Sequence, residues 1–242
     1  MPRLDRHDAL IHYDVRGDGP VVLLTHGFSS SGDAFAGNAA AIVNAGFRLV
    51  TWDLRGHGRT DAGTDAESYT VPRVLGDMAA LLDHVGADRA VVGGHSLGGY
   101  LSLAFRIAHP DRVEGLILLD TGPGYRDDTA RAGWNRFVDK EVRRLAEEQP
   151  GDESEGWTRT AERILKQHDG SVIESLPAID VPVLVIVGEK DTPFRGGSAY
   201  MADKIPDAEL VVIAGAGHSP NVTHKEEFDR CVTKFLARVV MS

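Results

Sequence analysis

Short apolar runs and longer amphipathic segments alternate along most of the chain. A polar-apolar run over residues 9–15 predicts an edge strand, and apolar runs predict further strands at residues 21–25, 47–52, 90–93, 113–119, 183–187 and 210–213. Apolar residues spaced by three and four positions predict helices at residues 39–44, 71–85, 97–108, 198–204 and 228–239. Strand and helix signals in alternation predict βαβ units and a mainly parallel sheet flanked by helices.

Residues 125–179 break this alternation. Charged residues there lie between scattered apolar ones, and no strand signal is present. We interpret the segment as a helical insertion with an internal turn at Gln149-Pro150-Gly151-Asp152. The predicted organisation is a core formed by residues 1–124 and 180–242, with the insertion at residues 125–179.

Composition narrows the class of protein. A chain of 242 residues is long enough for one α/β domain, and its net charge of −10 argues against nucleic acid or an anionic membrane as a partner. Residues 1–8 contain no apolar leader segment, and no apolar stretch approaches the length of a membrane span. The single cysteine, Cys231, excludes an internal disulfide and suits a reducing compartment. We therefore expect a soluble cytoplasmic protein.

The strongest chemical signal is Gly94-His95-Ser96-Leu97-Gly98, which fits G-x-S-x-G. In this motif a strand turns sharply at a serine and continues as a helix, which exposes the hydroxyl at the end of the sheet. The corner leaves no room for side chains two residues before and after the serine. We predict that Ser96 is a nucleophile, and we expect the neighbouring His95 to point away from it.

A serine nucleophile needs a base that is itself held by an acid. His218 lies on a glycine-containing loop after the last predicted strand, and Asp191 follows the strand before it. The order Ser, Asp, His along the chain is the order that this corner motif uses. We predict His218 as the base and Asp191 as the acid, with Glu189 and Asp120 as alternative acids.

Acyl transfer also requires hydrogen-bond donors for the developing oxyanion. The backbone N–H of Leu97, at the start of a helix, is one predicted donor, and that of Phe28, in the loop after the strand at residues 21–25, is the second. We interpret the turn Asp53-Leu54-Arg55-Gly56-His57-Gly58 as structural, ordered by charges and hydrogen bonds. Metal-binding signatures and a Walker-type phosphate loop are missing from the sequence.

Together these segments resemble the α/β-hydrolase fold family. The resemblance covers nearly the whole chain and rests on these motifs: His26-Gly27-Phe28, Asp53-Leu54-Arg55-Gly56-His57-Gly58, Gly94-His95-Ser96-Leu97-Gly98-Gly99, Gly188-Glu189-Lys190-Asp191 and Gly217-His218. It implies a mostly parallel eight-stranded sheet, a short helical cap at residues 125–179, and usually no cofactor. It also implies a Ser96–His218–Asp191 triad with the Phe28 and Leu97 amides as the oxyanion hole. A serine nucleophile argues against the aspartate-dependent dehalogenases and epoxide hydrolases.

The substrate is less well defined by the sequence. We expect a hydrolase that cleaves a small or medium carboxylic ester and acts as a monomer or homodimer on a small-molecule substrate. A lactonase, a thioesterase, a carbon–carbon bond hydrolase or a cofactor-free perhydrolase would use the same residues, and a non-catalytic small-ligand receptor stays open. Phe28, Trp134, Phe137 and Trp157 are the candidate pocket residues.

Overall fold

A computed structural model describes residues 2–6 and 8–240 of the chain. Residues 1, 7, 241 and 242 lie outside the described residues. All four belong to the predicted core, and residues 1 and 7 also belong to the start of the chain, where no leader segment is expected. The described strands are β1 (Arg3–Asp5), β2 (Leu10–Arg16), β3 (Val21–Thr25), β4 (Arg48–Trp52), β5 (Ala90–His95), β6 (Val113–Leu119), β7 (Val183–Gly188) and β8 (Ala208–Ile213). They form one sheet in the order β1-β2-β4-β3-β5-β6-β7-β8. Only the β1–β2 and β2–β4 pairs are antiparallel, so the mostly parallel eight-stranded sheet is confirmed.

The helices lie between the strands and after the last strand. They are α1 (Ala39–Asn44), α2 (Val71–His84), α3 (Leu97–Ala108), α4 (Asp128–Glu148), α5 (Asp152–Thr160), α6 (Ser171–Ser175), α7 (Thr192–Lys204), α8 (Pro220–Thr223) and α9 (Lys225–Val240). Short 3₁₀ helices cover Gly32–Asn38, Ala66–Ser68, Pro110–Arg112 and Leu176–Ala178, and a π-helical turn covers Ala161–Leu165. None of the helices within the described residues is long and apolar enough to cross a lipid bilayer.

The strand predicted at residues 9–15 is present as β2, but the prediction that it lies at the edge of the sheet is wrong. The three-residue strand β1 pairs with β2 on its outer side, through Arg3 with His12 and Asp5 with Leu10. The sequence Arg3-Leu4-Asp5 contains one apolar residue. It is therefore too short and too polar to produce a strand signal by itself.

Two apolar layers cover the two faces of the sheet, because side chains on a strand alternate between the faces. Val21 and Leu23 of β3 pack with residues of α2 and α3, whereas Val22 and Leu24 pack with residues of α1 and α9. All five residues of β3 are buried. A strand covered by helices on both faces reads as a continuous apolar run, which is the pattern that identified it in the sequence.

The turn after β4 is an ordered polar structure, which confirms its structural interpretation. Arg55 is 1% exposed and donates two hydrogen bonds to Asp77 in α2 (2.6 and 3.0 Å) and two to Asp8 (2.9 and 3.1 Å). Because both partners are carboxylates, the buried guanidinium is paired on both sides, and its pKa is raised.

The same turn supports the segment between β6 and β7. Thr160 at the end of α5 donates a hydrogen bond to the Arg55 carbonyl (2.9 Å). A Cβ atom on Gly156 would lie 2.5 Å from the Gly56 carbonyl oxygen, so the two backbones are in direct contact. Trp157 is buried (4% exposed) in this part of the molecule. The inserted helices therefore rest on the body of the protein through backbone packing as well as through side chains.

Candidate active site

Ser96 lies at a tight corner between β5 and α3. Its backbone has φ +52° and ψ −114°, a combination that L-residues adopt at a cost, and its N–H donates to the Leu119 carbonyl of β6 (2.8 Å). Cβ atoms on Gly94 and Gly98 would lie 2.4 and 2.0 Å from the Thr25 carbonyl oxygen. The expectation that the corner excludes side chains at these two positions is confirmed.

His218 and Asp191 are hydrogen-bonded to each other. The His218 Nδ1–H donates to Asp191 Oδ2 at 2.8 Å, with the ring partly exposed and the carboxylate buried. Asp191 stands at the N-cap of α7, yet its side chain makes no capping bond. The two loops meet because Gly188 packs against the Gly217 carbonyl oxygen, where a Cβ atom would lie 2.1 Å away.

His95 lies against His218, a contact that the sequence did not indicate. The two rings are 4.6 Å apart, and the His95 Nε2–H donates to the His218 carbonyl at 2.5 Å. Burial, followed by the nearby His218, lowers the pKa of His95 to about 4, so the ring is neutral at neutral pH. Because His95 immediately precedes Ser96, this contact brings His218 to the end of β5 from which Ser96 projects.

Asp120, one alternative acid, lies beside this pair at the end of β6. It is fully buried, and its Oδ1 accepts a hydrogen bond from the Gly188 N–H (2.9 Å). Ligand-type atoms of Asp120, Asp191 and His218 all lie within 4.8 Å of one another. Carboxylates and imidazole can bind divalent cations, but here one oxygen of Asp191 and Nδ1 of His218 are already hydrogen-bonded together. Glu189, the other alternative acid, accepts from the Gly215 N–H at the surface (2.8 Å).

Two neutral histidines hold the loop that follows β3. His26 accepts from the Leu54 N–H (2.9 Å) and donates to the Gly27 carbonyl (2.6 Å). His57 accepts from the Ser29 N–H (3.1 Å) and donates to the Arg55 carbonyl (3.1 Å). Desolvation by burial lowers the pKa of His26 to about 4 and that of His57 to about 3. Each ring therefore serves as one donor and one acceptor, which only the neutral form can do.

This loop approaches Ser96 closely. A Cβ atom on Gly27 would lie 2.7 Å from His95 Nδ1 and 3.3 Å from the Cβ atom of Ser96. Phe28 is half-buried, with its ring 5.7 Å from that of His57 in an edge-to-face contact. The N–H of Leu97, in the first turn of α3, has no acceptor within the helix. The backbones of residues 27–28 and 97 thus flank the serine.

A cavity of about 580 Å³ opens at Ser96. It is lined by Ser96, Leu97, Tyr100, Thr121, Gly122, Pro123, Gly124, Tyr125, Ala130, Gly133, Trp134, Phe137, Leu165, Gln167, Pro193, Phe194 and Gly197. None of these lining residues carries a charge, and the lining is mostly apolar and aromatic. Of the predicted pocket residues, Trp134 and Phe137 lie on this cavity, whereas Phe28 and Trp157 are not among its lining residues.

Sequence reasoning missed Phe194. This ring lines the cavity and stacks on His218, with centroids 4.9 Å apart and planes inclined by 24°. It follows Asp191 by three positions, on the first turn of α7. An aromatic residue one turn after a predicted acid was the available signal, because residues three apart on a helix face the same side.

Comparison with known proteins places this geometry in context. Residues 20–154 match a protein family described as alpha/beta hydrolase fold. The chain is 30% identical over 257 residues to a protein provisionally named a carbamate hydrolase from Caulobacter sp. (strain K31), covering 94% of each chain. It is 29% identical over 273 residues to a 2-hydroxy-6-oxononadienedioate/2-hydroxy-6-oxononatrienedioate hydrolase from Burkholderia vietnamiensis (strain G4 / LMG 22486), covering 97% of this chain and 93% of the other. A thermophilic esterase from Thermogutta terrifontis superposes with a TM-score of 0.82 at 26% identity, covering 99% of each chain.

Proposed function

This chain belongs to the α/β-hydrolase fold family, and from that premise we propose that it is a serine hydrolase that cleaves carboxylic esters with uncharged, apolar acyl groups. One observation carries the proposal. A serine at a strained strand-to-helix corner opens onto an uncharged cavity, and a hydrogen-bonded histidine–aspartate pair lies at the same edge of the sheet.

In the proposed reaction Ser96 attacks the ester carbonyl while His218 takes the hydroxyl proton. Asp191 holds the His218 tautomer whose Nε2 is free to accept that proton, and it stabilises the imidazolium that forms. His218 then returns the proton to the departing alcohol. In the second half of the reaction the same imidazole activates a water molecule, which hydrolyses the acyl-enzyme.

The oxyanion of each tetrahedral intermediate is bound by the backbone N–H groups of Leu97 and Phe28 in this proposal. The close approach of Gly27 to Ser96 supports the assignment of Phe28, because it brings the loop backbone beside the reacting hydroxyl. The start of α3 supports that of Leu97, since its N–H has no acceptor within the helix and lies at the positive end of the helix dipole.

The cavity favours an uncharged acyl group. The Burkholderia vietnamiensis relative is named for dioate substrates, which carry two carboxylates. Binding a carboxylate in an apolar cavity without a cationic partner is costly, and no lysine or arginine is found among the lining residues. Tyr100, Trp134 and Phe194 instead offer aromatic surface, and burial raises the pKa of Tyr100 to about 12 and keeps it neutral. We further propose that residues 125–179 act as a cap, since Trp134 and Phe137 of α4 line the cavity together with residues of α3.

The proposal is tested with a fluorophosphonate probe and a series of p-nitrophenyl esters of increasing acyl length. We expect labelling at Ser96, turnover of neutral acyl esters, and little turnover of the matching half-ester of a dicarboxylic acid. Replacement of Ser96 or His218 by alanine is expected to lower kcat by about 10⁴–10⁶-fold, and Asp191→Asn by about 10⁴-fold.

Other outcomes contradict the proposal in different ways. Stoichiometric labelling without turnover of any ester would indicate a ligand receptor or another bond type, which lactone and thioester substrates would then distinguish. Preference for the half-ester would contradict the assignment of an uncharged acyl group.

The single cysteine supports a reducing, cytoplasmic setting for the reaction.

A further inference from the structure

Asp120 is held in a fixed and costly conformation. It has φ +43°, which is unusual for any residue other than glycine, and its N–H donates to the Ile186 carbonyl of β7 (2.9 Å). Its Oδ1 accepts from the Gly188 N–H. The side chain is therefore pinned between β6 and β7, directly beneath the loop that carries Asp191.

The second oxygen of Asp120 lacks a donor. Oδ2 is buried and has no hydrogen-bond partner within the part of the chain that the structure describes. The nearby Asp191 accepts the hydrogen bond of His218, and no cationic side chain is among the groups that shift the titration of Asp120. The carboxylate oxygens of Asp120 and Asp191 lie within 4.8 Å of each other. Two buried carboxylates this close cannot both be charged, whereas a single proton between them gives one carboxyl a donor and the other an acceptor.

We propose that Asp120 is a positioning residue that retains its proton and donates it in a hydrogen bond to Asp191. The acid of the relay is then a carboxyl pair with a single negative charge, and Asp120 holds the Asp191 carboxylate in the orientation that His218 requires. This inference rests on the roles proposed above for Asp191 and His218, and it adds a member that touches neither substrate nor base.

The charged and titratable groups around Asp120 are consistent with this arrangement. Asp191 faces it from the loop after β7, and His218 from the loop after β8, while His95 at the end of β5 lies against His218. The side chains of Glu189 and Lys190 are exposed at the surface. Burial first, and then the hydrogen bond with Asp191, raise the pKa of Asp120 to about 8. The proton is therefore retained at neutral pH and lost in moderately alkaline solution.

Loss of this proton has a defined consequence. Above about pH 8 the pair would carry two negative charges, and Asp191 would lose its donor. The rate at which Ser96 reacts with a fluorophosphonate reports activation of the hydroxyl without depending on the identity of the substrate. We expect that rate to fall on the alkaline side in the wild-type protein.

The test compares Asp120→Asn, Asp120→Ala and the control Asp180→Asn across a pH series. Asparagine keeps a donor for Asp191 and an acceptor for Gly188 but cannot ionise, so its labelling rate is expected to stay within about threefold of wild type at pH 7 and to lack the alkaline fall. Alanine removes the donor, and we expect labelling slower by about tenfold. Asp180 is exposed and paired with Arg106, so Asp180→Asn makes the same side-chain exchange outside the proposed site and should reproduce the wild-type profile.

Infrared spectroscopy tests the proton directly, without any activity. The carbonyl stretch of a buried protonated carboxyl should be present in wild type at pH 7, disappear with an alkaline titration, and be missing from Asp120→Asn. An unchanged alkaline fall in Asp120→Asn, or a wild-type spectrum without that band, would overturn the inference. If Ser96 fails to react with the probe, the proposed function fails, while the infrared titration still decides where the proton lies.

Discussion

At the scale of single residues, strained backbone conformations lie close to the proposed site. Among the described residues, three that are not glycine have positive φ: Ser29, Ser96 and Asp120. Each lies in a loop that contributes to the site: the one after β3, the corner after β5 and the end of β6. Such conformations persist only where the surroundings impose them, and here neighbouring strands and glycine contacts do so.

The G-x-S-x-G corner gives a prediction from a matched pair of glycines. A Cβ atom on Gly98 would lie 2.0 Å from a backbone oxygen, whereas nothing lies within 4 Å of one on Gly196 in α7. Gly98→Ala is expected to lower the free energy of unfolding by about 3 kcal/mol or more, because the backbone must move. Gly196→Ala should raise it by about 0.5–1 kcal/mol, since alanine favours a helix.

Urea unfolding of the two variants beside wild type measures both effects. Equal stabilities for the two variants would show that the corner can relax to accept a side chain, and would contradict the close packing of Gly98 on Thr25.

What the sequence could predict at this scale follows from chain order. Ser96, Asp191 and His218 each follow a strand of a parallel sheet, so their loops meet at one edge whatever the details of packing. The partnership of Asp120 with Asp191 depends on a positive φ and on side-chain rotamers. The position of His95 depends on how the loop after β8 closes over β5. Neither feature can be predicted from the spacing of residues in the sequence.

At the scale of elements, strands buried on both faces could be predicted from the sequence, whereas short and weakly apolar elements could not. β3 and β6 are covered on both faces and read as continuous apolar runs. β1 is short and polar, and its pairing with β2 became visible only in the folded chain. The first turn of α7 was also missed, because Thr192-Pro193-Phe194 follows an acid and has no amphipathic period.

The loop after β3 gives a prediction about acid stability. Burial keeps the pKa of His57 near 3 in the folded protein, against about 6.5 in the unfolded chain. The unfolded state therefore binds the extra proton first, and stability present above pH 6.5 is lost as the pH falls towards 3. Between pH 7.5 and pH 5 this one histidine is expected to remove about 2 kcal/mol from the free energy of unfolding.

Urea titrations of His57→Gln and of wild type at the two pH values isolate that effect. The wild-type loss should exceed the loss in His57→Gln by about 2 kcal/mol, because glutamine does not titrate. His168→Gln, at an exposed position, serves as the control and should behave like wild type. Parallel losses in all three proteins would mean that His57 takes up its proton without opening the loop.

At the scale of the whole molecule, the insertion is joined to the body through the turn after β4. The charged residues made that turn conspicuous in the sequence. The pairing of Arg55 with its two carboxylate partners explains their presence. It could not show that α5 rests on the same turn, because a contact between two glycine backbones has no residue pattern of its own. The prediction that residues 125–179 form a separate cap stays a prediction.

This contact can be loosened on purpose. Gly156→Ala places a Cβ atom 2.5 Å from the Gly56 carbonyl and should displace α5 at a cost of about 1–3 kcal/mol. We expect faster proteolytic cleavage within residues 125–179 and a higher KM for p-nitrophenyl esters, with kcat affected less. The matched control is Gly170→Ala in the same segment, where the nearest atom is 3.5 Å away. Equal cleavage rates for the two variants would argue against the Gly56–Gly156 contact as the support of α5.

Phe194 connects these scales. The ring that stacks on the His218 imidazole is also part of the cavity wall, and it stands on the same helical turn as Asp191. A molecule bound in the cavity can therefore contact the ring that packs against the imidazole. If the proposed reaction holds, ligands of different width would place the imidazole at different angles, and selectivity among them would then be seen in the rate of proton transfer as well as in affinity.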